Sequence, residues 1–368
     1  MPPAPAAVAI VLDKGQRATL LLALAASVAA GVLTYTHGGG AVVAFGVCAV
    51  ALALLATVVG LATEQLGSRL GPSATGVLQS ALGNLPELLI GIFSLRAGLV
   101  AVVQAALIGS ILANSLLVLG LAFLLGGLKN GTQRFASEPP RTIATLILLA
   151  VAALAVPTLA HQLHTPASRH ADGLSLACAL VLLVVFLASL RFSLSGDPAI
   201  TEPPVVASEK EHGGAAWPLW LAVVVLGVSG ALAAFVSDWF VEALKPAIQI
   251  LHLSEAFTGL VVVAIAGNAV ENVVGIQLAM RNKPDYAISV ILNSSLQVAL
   301  GLVPALVLLS FVLGGAHLTL VLPPLLVAAL ALAAISSAFI VFDGESIWLE
   351  GVVLIGLYGI IAASFWWG

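Results

Sequence analysis

Charge is scarce in this chain. Only 8% of its 368 residues are Asp, Glu, Lys or Arg, whereas 61% are hydrophobic, and no basic run occurs anywhere. A water-soluble domain of this length needs far more charge to cover its surface, so a soluble globular fold is excluded. A net charge of −4 without a basic run also argues against a nucleic-acid partner. Aromatic residues reach only 6%, and apolar residues do not alternate with period two, which argues against a membrane β-barrel. Cysteine is limited to Cys48 and Cys178, with no CxxC spacing, so both read as small apolar packing residues.

What remains is an all-α polytopic membrane protein. Apolar runs of about 20 residues recur from end to end and divide into about eleven transmembrane helices. Their expected spans are 18–36, 41–64, 73–96, 99–128, 142–161, 172–194, 217–245, 254–281, 286–313, 316–342 and 346–367. The stretch after Lys14 and Arg17 reads as a retained first helix, with a cleaved signal peptide as the alternative. One substantial polar segment, 195–216, carries Pro198, Pro203, Pro204, Gly213 and Gly214 and reads as a linker between halves. The expected organisation is a tail and extra helix over 1–36, a first repeat over 37–194, the linker, and a second repeat over 217–368.

A cytoplasmic N-terminus places Lys14, Arg17, Arg69, Lys129, Arg134, Arg141, Arg191, Lys210, Arg281 and Lys283 inside. Arg96, Arg169 and Lys245 then fall outside, which obeys the positive-inside rule and puts the C-terminus outside. Five spans precede the linker after the extra helix and five follow it, so the second repeat enters the membrane inverted. Inverted repeats place their shared site near the bilayer midplane.

Two polar motifs sit at matching places in these halves. Gly83-Asn84-Leu85-Pro86-Glu87 and Gly267-Asn268-Ala269-Val270-Glu271 repeat glycine, asparagine and glutamate at an offset of 184. A carboxylate inside an apolar span is costly and marks function. The glycines, together with Pro86, loosen the helix and free carbonyl oxygens beside the carboxylate. Ser110 and Ser294 each follow their motif glutamate by 23 residues, with Asn114 near the first and Asn293, Ser295 and Gln297 near the second. Carboxylates joined by hydroxyls and amides, without thiols or imidazoles, suit Ca²⁺ as a hard cation. Taken singly, such polar residues also serve as glue between membrane helices; their recurrence in one register favours a site.

At these residues the chain resembles the calcium/proton exchanger family, within the wider cation/Ca²⁺ antiporter superfamily. Gly267-Asn268-Ala269-Val270-Glu271 is similar to the family's GNAxE pattern, and the stretch from Gly109 to Gly120 is similar to the superfamily's GS…N…LLVLG. The resemblance covers essentially the whole chain. It implies alternating-access Ca²⁺/H⁺ antiport, with Ca²⁺ and protons competing for Glu87 and Glu271. Three departures stand out. Leu85-Pro86-Glu87-Leu88 is closer to the LPEL of sodium/calcium exchangers, and Asn272 stands where plant and fungal relatives often carry histidine. Gln297 and Val298 stand where some sodium/calcium exchangers place an aspartate. The missing aspartate favours protons as coupling ion, and Pro86 keeps Na⁺ or K⁺ exchange open.

The expected binding set is therefore Glu87, Glu271, Asn84, Asn268, Gly83, Gly267, Ser110, Asn114, Ser294 and Gln297, with Glu87 and Glu271 as Ca²⁺ ligands. Glu64 and Glu242 are candidate entrance relays, a local ion pair with Lys245 being the plain alternative for Glu242. Glu255 after Ser254 reads as a helix N-terminal acid. His161, His164 and His170 read as exposed loop residues. No cofactor is expected. The partners are membrane lipid and inorganic cations, a homo-oligomer stays open, and the Ala/Val/Gly-rich composition points to a bacterial plasma membrane. An intramembrane metal-dependent enzyme is the distant alternative. It lacks a nucleophile–base pair and leaves the duplication unexplained.

Overall fold

The computed structural model describes residues 12–70, 82–194, 217–314 and 316–367. The side chains of 68–70, 192–194 and 270–271 lie outside that description, as does the expected linker. The chain runs through α1 (Lys14–Thr36), α2 (Gly40–Leu70), α3 (Leu85–Arg96), α4 (Val100–Asn130), α5 (Glu138–Gln162) and α6 (Ala171–Leu194). It continues through α7 (Leu219–Leu251), α8 (Glu255–Gly267), α9 (Ala269–Met280), α10 (Pro284–Val312), α11 (Pro324–Ile340) and α12 (Trp348–Ser364). Seven of these are long and apolar enough to cross a membrane, and the α8–α9 pair, bent by 64°, forms an eighth candidate. The protein is thus an all-helical membrane protein. α11 and α12 have 17 residues each, about 26 Å of helix and short of a full hydrocarbon core.

Local chemistry sets several boundaries. Asp13 caps α1 through Lys14 N at 2.7 Å, and its own N–H donates to Gln16 Oε1 at 3.2 Å, a reciprocal capping box. Ser254 caps α8 by accepting from Phe257 N at 2.9 Å, leaving Glu255 in the first turn, as expected. α7 continues through Pro246 to Leu251, six residues past its expected end.

The segment 316–323 departs from expectation. It is extended rather than helical, and Leu318, Leu320 and Leu322 alternate into the core. Its backbone is held by side chains from four helices. Leu318 N donates to Ser310 Oγ at 3.0 Å, Leu320 N to Ser175 Oγ at 2.9 Å and Leu322 N to Thr158 Oγ1 at 2.9 Å. Gln104 Nε2 bridges the carbonyls of Thr319 (2.8 Å) and Val321 (3.2 Å). Hydroxyls and one amide thereby meet the backbone demand that a helix would have met internally.

The opposite end is clamped differently. Gln133 Nε2 donates to Ala279 O at 2.9 Å and Asn282 Oδ1 at 3.0 Å, capping the end of α9 from the α4–α5 loop. Gln133–Arg134 pairs antiparallel with Glu345–Ser346, and Arg134 meets Glu345 at 3.0 Å. The Arg141 guanidinium lies over the Phe342 ring and donates to the Phe342 carbonyl.

Between these ends lie two large apolar cores. One joins α1, α2 and α7 with Ile90, Leu99, Val102 and Val263, and includes a Phe45–Phe240 stack with centroids 4.8 Å apart. The other joins α4, α5 and α6 with α10, α11 and α12. The polar motifs sit on α3, α4, α8, α9 and α10, where the two cores meet.

Candidate cation site

Both motifs break the helix in the same way. Asn84 has φ −91°, ψ 17°, and Asn268 has φ −98°, ψ 19°, each just before a new helix. The Asn84 carbonyl accepts from Leu88 N at 2.9 Å and the Asn268 carbonyl from Asn272 N at 3.1 Å, so the breaks match residue for residue across the offset of 184. Glu87 and Glu271 are each the third residue of the helix that follows. Glu87 thus stands in the first turn, at the positive end of its helix dipole.

Glu87 is 9% exposed. Its Oε1 accepts from Ser110 Oγ at 2.7 Å and from the Asn268 amide. The Asn268 Nδ2 also lies 2.9 Å from Ser110 Oγ and 3.0 Å from its own-helix carbonyl at Ala264. The first motif's carboxylate is therefore held by the second motif's asparagine. Gly267 explains how: a Cβ there would stand 2.5 Å from Glu87 Cγ, so only glycine admits the carboxylate. Ser110 is brought in by similar means. A Cβ on Gly109 would collide with the Leu260 carbonyl and one on Gly259 with the Val102 carbonyl, so α4 and α8 touch backbone to backbone.

The network continues through neutral groups. Asn114 Nδ2 donates to Ser294 Oγ at 2.8 Å, and Ser294 Oγ lies 3.4 Å from Asn268 Oδ1. Ser115 and Ser295 share a hydroxyl contact of 3.1 Å, and Asn84 Nδ2 approaches Gln297 Oε1 at 3.4 Å. Asn114 Oδ1 is buried without a hydrogen-bond partner among the described residues. π-helical turns at Ala113–Val118 and Val298–Leu302 flank the site at corresponding places in α4 and α10. Such turns recur at functional sites because they redirect side chains without ending the helix. Sequence reasoning missed both, along with Ser115.

Asn84, Glu87, Ser110, Asn114, Gly267, Asn268, Ser294 and Gln297 come together. Gly83 lies in the turn before α3. The side chain of Glu271 lies outside the described residues; its backbone occupies the place in α9 that Glu87 holds in α3. Glu64 is half-buried near the far end of α2. The local ion pair weighed for Glu242 is not formed among the described residues, since Lys245 instead donates to Ala97 O at 2.8 Å. His161, His164 and His170 are exposed, as expected. From Glu87 a narrow cavity, with about 20 Å³ of space for water, runs past Ser110, Ile90, Gly91 and Ser94. That is room for a single water.

The family described as sodium/calcium exchanger protein matches residues 40–195 and 221–367. The Ca²⁺/H⁺ antiporter of Synechocystis sp. is 35% identical, over 89% of this chain and 92% of its own. The Ca²⁺/H⁺ antiporter ChaA of Bacillus subtilis is 34% identical, over 88% of this chain and 92% of its own. The solved structure of native YfkE superposes with a TM-score of 0.80 at 30% identity, covering 95% of this chain and 99% of that one.

Proposed function

The chain belongs to the sodium/calcium exchanger protein family, and from that premise we propose that it is a secondary active Ca²⁺/H⁺ antiporter with one site shared by its two motifs. Relatives named Ca²⁺/H⁺ antiporters match it over most of both chains, which supports the choice of ions. The observation that carries the reading is the contact of Asn268 with Glu87, which joins the two motif copies at a buried carboxylate.

The chemistry follows from that carboxylate and its neutral surroundings. Glu87 and, in this reading, Glu271 share one site, where two uncompensated carboxylates repel each other when both are ionised, so at least one holds a proton while Ca²⁺ is absent. Ca²⁺ displaces the proton because its charge compensates both carboxylates. Ser110, Ser294 and Asn114 add neutral oxygens, and the Asn114 Oδ1 lone pairs are available for this role. Asn268 holds Glu87 in place. Exchange requires that the empty, doubly charged site not cross, and the apolar walls at Ile90, Leu302 and Leu306 make that state costly.

Residues 37–194 and 217–368 act in this reading as inverted repeats, and eleven crossings that start from a cytoplasmic N-terminus end with the C-terminus outside. The matched breaks at Asn84 and Asn268 support the repeat. Lys129, Arg134, Arg141, Arg281 and Lys283, all around the clamped end, support the orientation. The boundary between the two apolar cores is where the site would open alternately to either face.

Ca²⁺ binding measured against pH tests the proposal. Each proton displaced raises the apparent Kd about tenfold per pH unit as pH falls, and Glu87→Gln removes one proton from that slope. Binding independent of pH would refute it.

A further inference from the structure

A second cavity, of about 160 Å³, opens between the α1–α2 turn and the end of α7, at the end of the molecule where Lys245 meets Ala97. It is lined by Thr34, His37, Trp239, Glu242 and Pro246, together with small residues of the turn. α1 precedes the residues matched by the family, so this cavity joins an element outside that match to the exchanger fold. The buried Phe45–Phe240 stack belongs to the core that α2 and α7 share with α3 and α4, and the lining of this cavity has no residue in common with that of the Glu87 cavity. Glu242 therefore has a setting of its own.

That setting is rich in acceptors: the Thr34 hydroxyl is already spent on the Ala30 carbonyl at 2.9 Å, which leaves the His37 ring and the Trp239 indole N–H as the side-chain donors in its wall. Glu242 is exposed and in no ion pair among the described residues. Pro246 has no N–H, so the Glu242 backbone carbonyl four residues earlier lacks its helical donor. α1 ends at Thr36 against the same space, and its last carbonyls carry the negative end of the helix dipole. The Trp239 indole completes the wall. It lies over Gly31, where a Cβ would come within 3.0 Å of the ring, and it contacts the exposed Tyr35 and Phe235 at centroid distances of 5.8 and 6.3 Å. Paired Trp and Tyr beside exposed apolar helices mark the level of lipid headgroups.

We infer that this cavity binds the primary ammonium headgroup of a membrane lipid, with Glu242 as counter-ion and Trp239 as the π face. An –NH₃⁺ group brings three donors to a carboxylate and freed carbonyls, whereas a trimethylammonium group brings none. The acyl chains then lie along the apolar surface of α1, where Leu24, Val28 and Val32 are exposed.

Native mass spectrometry of the full chain, delipidated and then given phosphatidylethanolamine or phosphatidylcholine of identical chains, tests this. Ethanolamine lipid is retained over choline lipid, and Glu242→Gln lowers its retention about tenfold, the loss expected for a charge-assisted hydrogen bond. Trp239→Phe, a milder change to the same wall, lowers it about two- to fivefold. Equal retention of the two lipids, or ethanolamine-lipid retention unchanged in both variants, would overturn the inference. Displacement of bound lipid by millimolar free ethanolamine would make a soluble amine the occupant and overturn the lipid assignment.

Discussion

Asn268 donates to the Glu87 carboxylate across 181 residues of sequence, so the first motif's glutamate is completed by the second motif's asparagine. A carboxylate held by a partner from its own duplicate is sensitive to changes on both sides of the pair.

Asn268→Ala leaves Glu87 Oε1 with Ser110 as its described side-chain donor. Loss of a buried hydrogen bond to a charged group costs about 1.5–3 kcal/mol. Ca²⁺ transport by the reconstituted variant is expected to fall at least about tenfold with helical content unchanged by circular dichroism. Transport at the wild-type rate would show that Asn268 does not position Glu87.

Gly267→Ala should be as damaging as a direct change to the glutamate, because its Cβ would stand 2.5 Å from Glu87 Cγ. The fitting control is Gly227→Ala in α7, where a Cβ meets nothing within 4 Å. That variant is expected to transport normally and to be slightly more stable, since Ala favours helix over Gly by about 1 kcal/mol. The pair is compared by transport rate and by thermal unfolding in detergent.

The extended segment 316–323 predicts a stability effect without a site effect. Thr158→Val removes the acceptor for Leu322 N and the donor to Leu320 O. Gln104→Leu strips two carbonyls at once. Each buried group left unsatisfied costs about 1–3 kcal/mol. Both variants should unfold at lower temperature than wild type, while pH-dependent Ca²⁺ binding by the folded fraction is retained.

The site was legible in the sequence where chemistry repeats in register. Asn84 with Asn268, and Ser110 with Ser294, are visible because the offset of 184 preserves residue type. The cross-pairing of Asn268 with Glu87 was not legible, since it depends on Gly109 and Gly259 letting α4 and α8 touch. The extended segment was hidden because hydropathy is blind to conformation: Leu318, Leu320 and Leu322 raise it as a helix would. Their period-two spacing before Pro323 and Pro324 was the available signal. Spacing alone could not decide the Glu242–Lys245 pair, as Lys245 lies within one turn but turns to the Ala97 carbonyl. The π-helical turns left no mark in residue type.

The most direct test of the central claim is proton movement driven by a Ca²⁺ gradient in proteoliposomes containing the full chain. The wild type should move protons against Ca²⁺. Glu87→Gln and Glu271→Gln should each abolish that movement, and Glu255→Gln, at a helix N-terminus, should retain it. No Ca²⁺-dependent proton movement in the wild type, or substantial movement in either motif variant, would contradict the account.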